Sequence, residues 1–548
     1  MVPRSAPPPE RSHAAVQRNL PTATGAHNEQ RRDRVVTSKV PARRNGCLGG
    51  VVGRGLQHLI VVVPGIGGSV LSDDRGHPVW GDARRRIVQM LADPDRLSVD
   101  HAPVLHPTAL MASAGYIPPF RLHGYDGLVK GLRTKLDVDG PVRVDTATTL
   151  PGRERDLRAD VVLFPYDFRY GVQAAAERLA IEVTVRLAAR PAGQRKRRVI
   201  VIGHSMGGLV ARYWATLPGQ AATCRAILTL GTPHLGAPKA LDWLINGAAL
   251  GPGPVHGATA RLLAKGTRVL RGWQGTFDLL PTYHAIQDKA GSGGDRLLRP
   301  ADLMTRLASG FAVDPAYAAG AGTAARMHEH IAAGWTGMDP AIRPPIVPFL
   351  ARGHGTPSAV YLRGRVLTIT DTDPDWQPNV GWRGDGTVPA ISAIPAELKG
   401  QGELVRPVTQ RHSPMVSAGA VIQAMRDLTG DNRPVQGDEA ERPRLGADIP
   451  DAIVLGDELR IGARLVVPAD ADGREVSLWL IAESADRSKV IPAVRMKRNE
   501  DGWTVGFMPI AAGAWRVRIE AAGLTGGPAP HVEDTVAVMS PTLHERMM

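Results

Sequence analysis
The sequence predicts an α/β protein, a mostly parallel sheet covered by helices, followed by a small all-β module. Three observations carry this expectation. Apolar runs of strand length alternate with helical patterns as far as about residue 230; one of those runs enters a Gly203-His-Ser205-Met-Gly207 turn and leaves it as a helix; and past residue 447 apolar residues recur with a period of two. Strands are read near 59–63, 161–164, 199–203 and 226–230, and helices near 124–136, 173–189 and 206–217.

The third of these strands is the most informative. Val199-Ile-Val-Ile202 leads into Gly203-x-Ser205-x-Gly207, and Leu209, Val210 and Tyr213 follow in a helical pattern. A strand that turns sharply into a helix crowds backbone against neighbouring side chains. Glycine at 203 and 207 therefore leaves room for a strained serine whose hydroxyl stands clear of the backbone near a helix N-terminus. This is the nucleophile elbow of the α/β-hydrolase fold, and Ser205 is the candidate nucleophile.

A serine hydroxyl needs a base and the base needs an orienting carboxylate, in the chain order Ser, acid, His. His412, in Gln410-Arg-His-Ser-Pro-Met-Val416, follows a short β-type run at 403–408 and precedes a helical stretch at 415–428. A loop histidine after the last strand reaches over the elbow. Of its rivals, His204 adjoins the nucleophile but points another way and is read as packing, His234 precedes the acid, and His354 sits in a Gly-rich loop with no strand before it. The acid is harder to place. Asp371, Asp373, Asp375 and Asp385 all follow the strand at 365–370, and position alone does not choose among them. Asp385, in Arg383-Gly-Asp-Gly-Thr-Val-Pro389, is favoured because flanking glycines allow a tight backbone and Thr387 is placed to hydrogen-bond the carboxylate. The alternative is that Gly384-Asp385-Gly386 is a self-capping turn, with Asp371 or Asp373 completing the triad.

Five ordered motifs now stand together: His58-Leu-Ile-Val-Val-Val-Pro-Gly-Ile-Gly-Gly-Ser69, Phe164-Pro-Tyr-Asp-Phe-Arg169, Gly203-His-Ser-Met-Gly-Gly208, Leu230-Gly-Thr-Pro-His-Leu-Gly236 and Gly384-Asp-Gly-Thr-Val-Pro389. Over about residues 58–428 the chain resembles the lecithin:cholesterol acyltransferase family, in its phospholipase and acyltransferase branch. Phe168 stands where that family's Pro-Tyr-Asp-Trp-Arg motif has tryptophan. The resemblance implies a serine acyl esterase or acyltransferase acting on lipid esters, with Ser205, Asp385 and His412 as the triad. It also implies an oxyanion hole formed by the backbone N–H groups of Ile66 and Met206. Gly65, Gly67 and Gly68 allow close approach to the developing oxyanion, which two fixed donors stabilise where water is excluded. Asp167 and Arg169 are read as a structural ion pair, and 230–236 as a connecting loop.

Composition narrows the setting. Cys47 and Cys224 are the only cysteines, so no disulfide framework is expected. Residues 1–57 are rich in arginine and broken by prolines, with no apolar core of a secretory signal and no membrane span; a cytoplasmic location is expected. The formal charge of +13 is uneven, since residues 1–58 contain 10 Arg/Lys against 3 Asp/Glu, a net of +7. That segment, 1–55, is read as a disordered basic tail. No nucleic-acid fold signature accompanies it, so nucleic acid is not expected as a partner, and neither a cofactor nor a metal is required by the chemistry above.

The strand–helix alternation stops between 241 and 364, where an insertion in this fold forms a lid or cap. Within it Leu262, Leu263, Val269, Leu270 and Trp273 fall on one helical face and Arg261, Lys265 and Arg268 on the other. Such a helix either packs a lid onto the body or makes transient contact with a lipid surface. The hydrolase domain is placed at 56–430, a charged, proline-containing linker at 431–446, and a β-sandwich of immunoglobulin type at 447–545. The sandwich rests on alternation at 459–467, 476–480, 503–507 and 515–519. It carries no visible catalytic constellation, and the sequence names no protein partner for it. The rival to an enzyme is an interaction protein that works through the sandwich and the tail.

Overall fold
The computed structural model describes residues 58–539, apart from 82–92, 101–103, 113–114, 118–119, 123, 137–140, 192–198, 246–267, 290–294, 304–315, 365, 379, 400–404, 418, 430–442, 468–475, 485–487 and 525–528. The basic tail, Cys47, most of the linker, and Leu262 and Leu263 lie outside the described residues.

Seven parallel strands form the main sheet, in the spatial order Arg406–Pro407, Ile346–Leu350, Cys224–Leu230, Val199–His204, Leu59–Val63, Val161–Leu163, Val144–Thr146. Its central strands are mostly apolar, and all their residues except His204 and Arg225 are buried, as a sheet with helices on both faces requires. The helix Met206–Thr216 is buried along nearly its whole length, packed against its own strand, against Gly171–Ala188 and against the long helix Ala316–Gly337. Chain order reverses direction across the sheet between Leu59–Val63 and Val199–His204. In an open parallel sheet that switch point opens a crevice beyond the carboxyl ends of the strands. This is the α/β-hydrolase fold.

The described residues of the segment 241–364 hold more regular structure than its composition implies. Ile346–Leu350 belongs to the main sheet. Ile286–Asp288, Arg296–Leu298, Ala359–Arg363 and Val366–Thr370 build a separate four-stranded sheet. The strand expected to carry the acid therefore lies in this satellite sheet, paired antiparallel with Ala359–Arg363. Val269, Leu270 and Trp273 are buried, while Arg268 reaches Asp95 at 3.0 Å on the surface.

The C-terminal part forms two facing sheets around their own core. One contains Arg444–Asp448, Leu459–Val466, Gly502–Phe507 and Lys497–Asn499; the other contains Ala452–Val454, His531–Met539, Gly513–Ala522, Ser477–Ser484 and Val490–Arg495. Leu459, Ile461 and Ala463 face Leu478, Leu480, Trp515 and Val517 inside, which accounts for the period of two. Arg444–Asp448 starts within the stretch read as linker. No helix among the described residues is long and apolar enough to cross a membrane.

Candidate active site
The elbow comes first. Ser205 joins the Val199–His204 strand to the Met206–Thr216 helix with φ 52° and ψ −124°, and is the only non-glycine at positive φ among the described residues. Such a conformation is held by its surroundings at a cost of about 1–3 kcal/mol. The Ser205 N–H donates to Leu230 O at 2.8 Å, and its C=O accepts from Gly208 N–H at 3.0 Å. A Cβ on Gly203 would lie 2.6 Å from Gly207 O and Gly208 Cα, and one on Gly207 would run into the carbonyls of Val63 and Pro64. Glycine at both positions is thus a packing requirement.

His412 follows the short edge strand Arg406–Pro407 and lines the same pocket as Ser205. Its Nδ1 lies 2.7 Å from Asp385 Oδ2, and its own N–H donates to Asp385 O at 2.9 Å. Asp385 is 2 % exposed; Asp371, Asp373 and Asp375 are exposed. The other Asp385 oxygen accepts the N–H groups of Thr387 at 2.9 Å and Val388 at 2.7 Å, so Thr387 serves through its amide. Burial pushes the Asp385 carboxyl up, but the charge His412 carries when protonated, its hydrogen bond and the two amides outweigh it and hold it below the ordinary carboxylate value. Asp385 is therefore an anion facing an imidazole N–H.

The loop after Leu59–Val63 closes the third side. A Cβ on Gly65 would lie 2.8 Å from Ser205 Cβ, which is how near this backbone comes to the elbow. Gly65 to Gly68 form a turn closed by Gly68 N–H to Gly65 O at 3.0 Å, and Ile66 lines the pocket. Met206 opens the elbow helix, so its N–H is among those left without an intrahelical acceptor. What holds the loop in place carries no signature in the sequence. Tyr125, at the start of the Asp126–Lys135 helix, accepts from Gly65 N–H at 3.0 Å and lies 2.9 Å from His204 Nδ1; His204 Nε2 lies 3.1 Å from His412 O. Because Gly65 must donate, the phenol proton goes to Nδ1, and Nε2–H of His204 goes to the His412 carbonyl. Tyr166 adds an O–H bond to Pro64 O at 2.9 Å, and Trp80 Nε1 donates to Gly67 O at 2.8 Å.

The remaining candidates fall elsewhere. His234 is buried between Arg212 Nη1, 3.2 Å from Nδ1, and Thr229 Oγ1, 3.2 Å from Nε2. His354 is fully buried against 447 and 409. Asp167 and Arg169 form a two-point ion pair, with Nε and Nη2 of Arg169 at 2.9 and 2.6 Å from the carboxylate. Among the described residues no group of three or more His, Cys, Asp or Glu is placed to hold a metal ion.

Residues 173–248, which span the elbow, match the model of the PGAP1-like alpha/beta domain. No curated protein matches the chain. Among solved structures, a chain of the Tle4–Tli4 complex is 14 % identical with a TM-score of 0.46, covering 68 % of this chain and 98 % of its own. Phospholipase PlaB from Legionella pneumophila in complex with thio-NAD is 13 % identical with a TM-score of 0.25, covering 88 % and 89 %. The lin2722 gene product of Listeria innocua is 9 % identical with a TM-score of 0.27, covering 69 % and 95 %.

Proposed function
We propose that the protein is a serine-dependent acyl esterase or acyltransferase acting on lipid esters, of the kind its motifs share with the lecithin:cholesterol acyltransferase family. The observation that carries this reading is a strained serine at the strand-to-helix turn lining one pocket with a histidine whose Nδ1 faces a buried carboxylate at 2.7 Å.

In this reading Ser205 Oγ attacks the ester carbonyl carbon while His412 Nε2 takes its proton. Asp385 keeps His412 in the tautomer with Nδ1–H and stabilises the imidazolium. The negative charge on the former carbonyl oxygen is met by the Ile66 and Met206 N–H groups. Collapse breaks the ester C–O bond, the leaving alkoxide oxygen takes the proton back from His412, and an acyl-serine remains. Water or an alcohol then repeats the cycle from the other side, giving an acid or a new ester. The pocket wall of Met111, Ala237, Trp243, Leu279, Val388 and Val416 suits an apolar acyl chain. Trp243 and Leu279 come from the segment after residue 241, which we read as a lid. We read the chain as a hydrolase domain at 56–430, with the C-terminal sheets as an immunoglobulin-type accessory sandwich.

Purified protein given mixed lipid esters, with and without an added long-chain alcohol, tests the substrate class. The reading expects free fatty acid in the first case or a new ester in the second, and neither with Ser205→Ala. No turnover of any acyl ester by the wild type would return the chain to the interaction-protein reading.

A further inference from the structure
The C-terminal sandwich touches the hydrolase part at loops that carry the proposed catalytic residues. Thr409, Gln410 and Arg411, the three residues before His412, all contact it. Thr409 Oγ1 donates to His531 O at 2.9 Å. Gln410 donates from Nε2 to His531 O at 3.3 Å and accepts at Oε1 from Glu533 N–H at 2.9 Å, so its amide pairs like a strand residue with the edge of His531–Met539. Arg411, 5 % exposed, sends Nη1 to Ala447 O at 2.8 Å and Nε to within 2.5 Å of Asp534 Oδ2, whose residue is 1 % exposed.

The acid's loop is held from the same side. A Cβ on Gly386, the residue after Asp385, would lie 2.6 Å from Arg411 Nη2, so the guanidinium lies directly on that backbone. Arg383 Nη2 donates to Asp448 at 2.7 Å, and the Gly355 N–H donates to the same carboxylate oxygen at 2.8 Å. His354 ties three segments: Nδ1 accepts from Ala447 N–H at 3.0 Å, and Nε2 lies 3.0 Å from Thr409 O. Burial, with Arg411 beside it, pushes His354 down to about 4, which keeps the ring neutral and fixes it as one donor and one acceptor.

We infer that the sandwich is a positioning module for catalysis, in which Asp534 and the strand His531–Met539, acting through Arg411 and Gln410, fix the relative placement of Asp385 and His412. Its grip combines a buried ion pair with directional hydrogen bonds from Thr409 and Gln410, which suits alignment more than cohesion: a buried ion pair adds little net stability, but removing one partner is costly. A shift of about 1 Å in a catalytic group is enough to cost roughly 100-fold in rate. The Arg411 guanidinium reaches the Asp385 loop at Gly386, and the peptide of Arg411 leads directly into His412, so one side chain spans both loops. The inference rests on the triad proposed above.

The test uses the full chain with Asp534→Asn, Gln410→Ala and, as a control on an exposed sandwich face, Arg460→Gln. A soluble short-chain ester gives kcat and KM, and a fluorophosphonate gives the rate of Ser205 labelling. Asp534→Asn should lower kcat by about 10- to 100-fold with KM within about twofold, and slow labelling in parallel. Gln410→Ala, which removes no buried charge, should lower kcat several-fold and decides the matter if Asp534→Asn does not fold. Arg460→Gln should match the wild type. Folded variants with wild-type kcat and labelling rate, beside a wild type that labels at Ser205, would overturn the inference and leave the triad standing. A wild type that turns over esters without labelling at Ser205 would overturn the triad and the inference together.

Discussion
Ser205 keeps a backbone conformation that only glycine adopts readily, and the groups around it explain why it persists: a strand entering, a helix leaving, and Gly203 and Gly207 between close-packed backbones. All of that was legible, because each part is local in sequence. The proposed acid was not legible from position. The chain leaves the main sheet after Leu350, runs through the satellite sheet, and returns to the site only at residue 384, so strand-end reasoning pointed at Asp371 and Asp373, which are exposed. Asp385→Asn should lower kcat by about 10⁴-fold through loss of the correct His412 tautomer. Asp371→Asn should stay within about twofold in the same assay; the opposite pattern would move the acid to the strand end. Tyr125 left no trace in the sequence, since its partners lie 60 and 79 residues away. Tyr125→Phe should leave the Gly65 N–H without an acceptor, at about 1–3 kcal/mol. A kcat about 10-fold lower at unchanged KM would show that the Gly65 loop has lost its hold, and an unchanged kcat would show that Tyr166 and Trp80 suffice.

At the scale of elements, long apolar strands were read within a residue or two, because a strand buried on both faces is continuous in hydrophobicity. Short ones escaped. Val144–Thr146 is three residues long, and Ile346–Leu350 is interrupted by Pro348, a residue that argues against a central strand. It fits here because the outer neighbour, Arg406–Pro407, pairs only with Phe349 and Leu350. The amphipathic segment is seated apolar side down at Val269, Leu270 and Trp273. Burying that face is favourable by roughly 25 cal/mol per Å² of apolar surface, and anionic vesicles offer it another place to bury while giving the basic face a partner. Turnover of a long-chain ester should then rise on adding vesicles while that of a short soluble ester stays level, and Leu263→Ser with Leu270→Ser should abolish the rise. Equal long-chain turnover with and without vesicles would leave a plain lid.

For the whole molecule, the joining of two cores through buried polar groups makes stability sensitive to acid. His354 in the folded chain titrates at about 4, pushed down by burial and Arg411 and drawn back in part by its backbone hydrogen bonds and Asp385. The unfolded chain takes up that proton near 6.5. Between those values the unfolded state binds more protons, so stability falls as pH is lowered from about 6.5 to about 4, by roughly 3 kcal/mol for this one group, and levels off below. His234, held well below its ordinary value by burial and Arg212, acts in the same direction. Asp278, raised to about 6 by burial, acts in the opposite direction and offsets part of the loss. Denaturant titrations at pH 7 and pH 5 should show the decline, and His354→Gln should make it shallower, with His234 and His328, the latter also pushed down to about 4 by burial, supplying the rest; an unchanged slope would mean that the ring is protonated where it lies. The period-two pattern of the sandwich was plain in the sequence, but its attachment was not, since Arg411, Asp534 and His354 meet only through tertiary contact.

The proposed chemistry stands on Ser205 as a nucleophile activated by His412. Incubation with a fluorophosphonate, followed by peptide mass spectrometry, reads that activation at the residue itself. A single adduct on Ser205 is expected, absent in Ser205→Ala and slowed by orders of magnitude in His412→Ala. A wild-type protein that turns over esters while Ser205 stays unmodified, or that labels equally fast without His412, would contradict it.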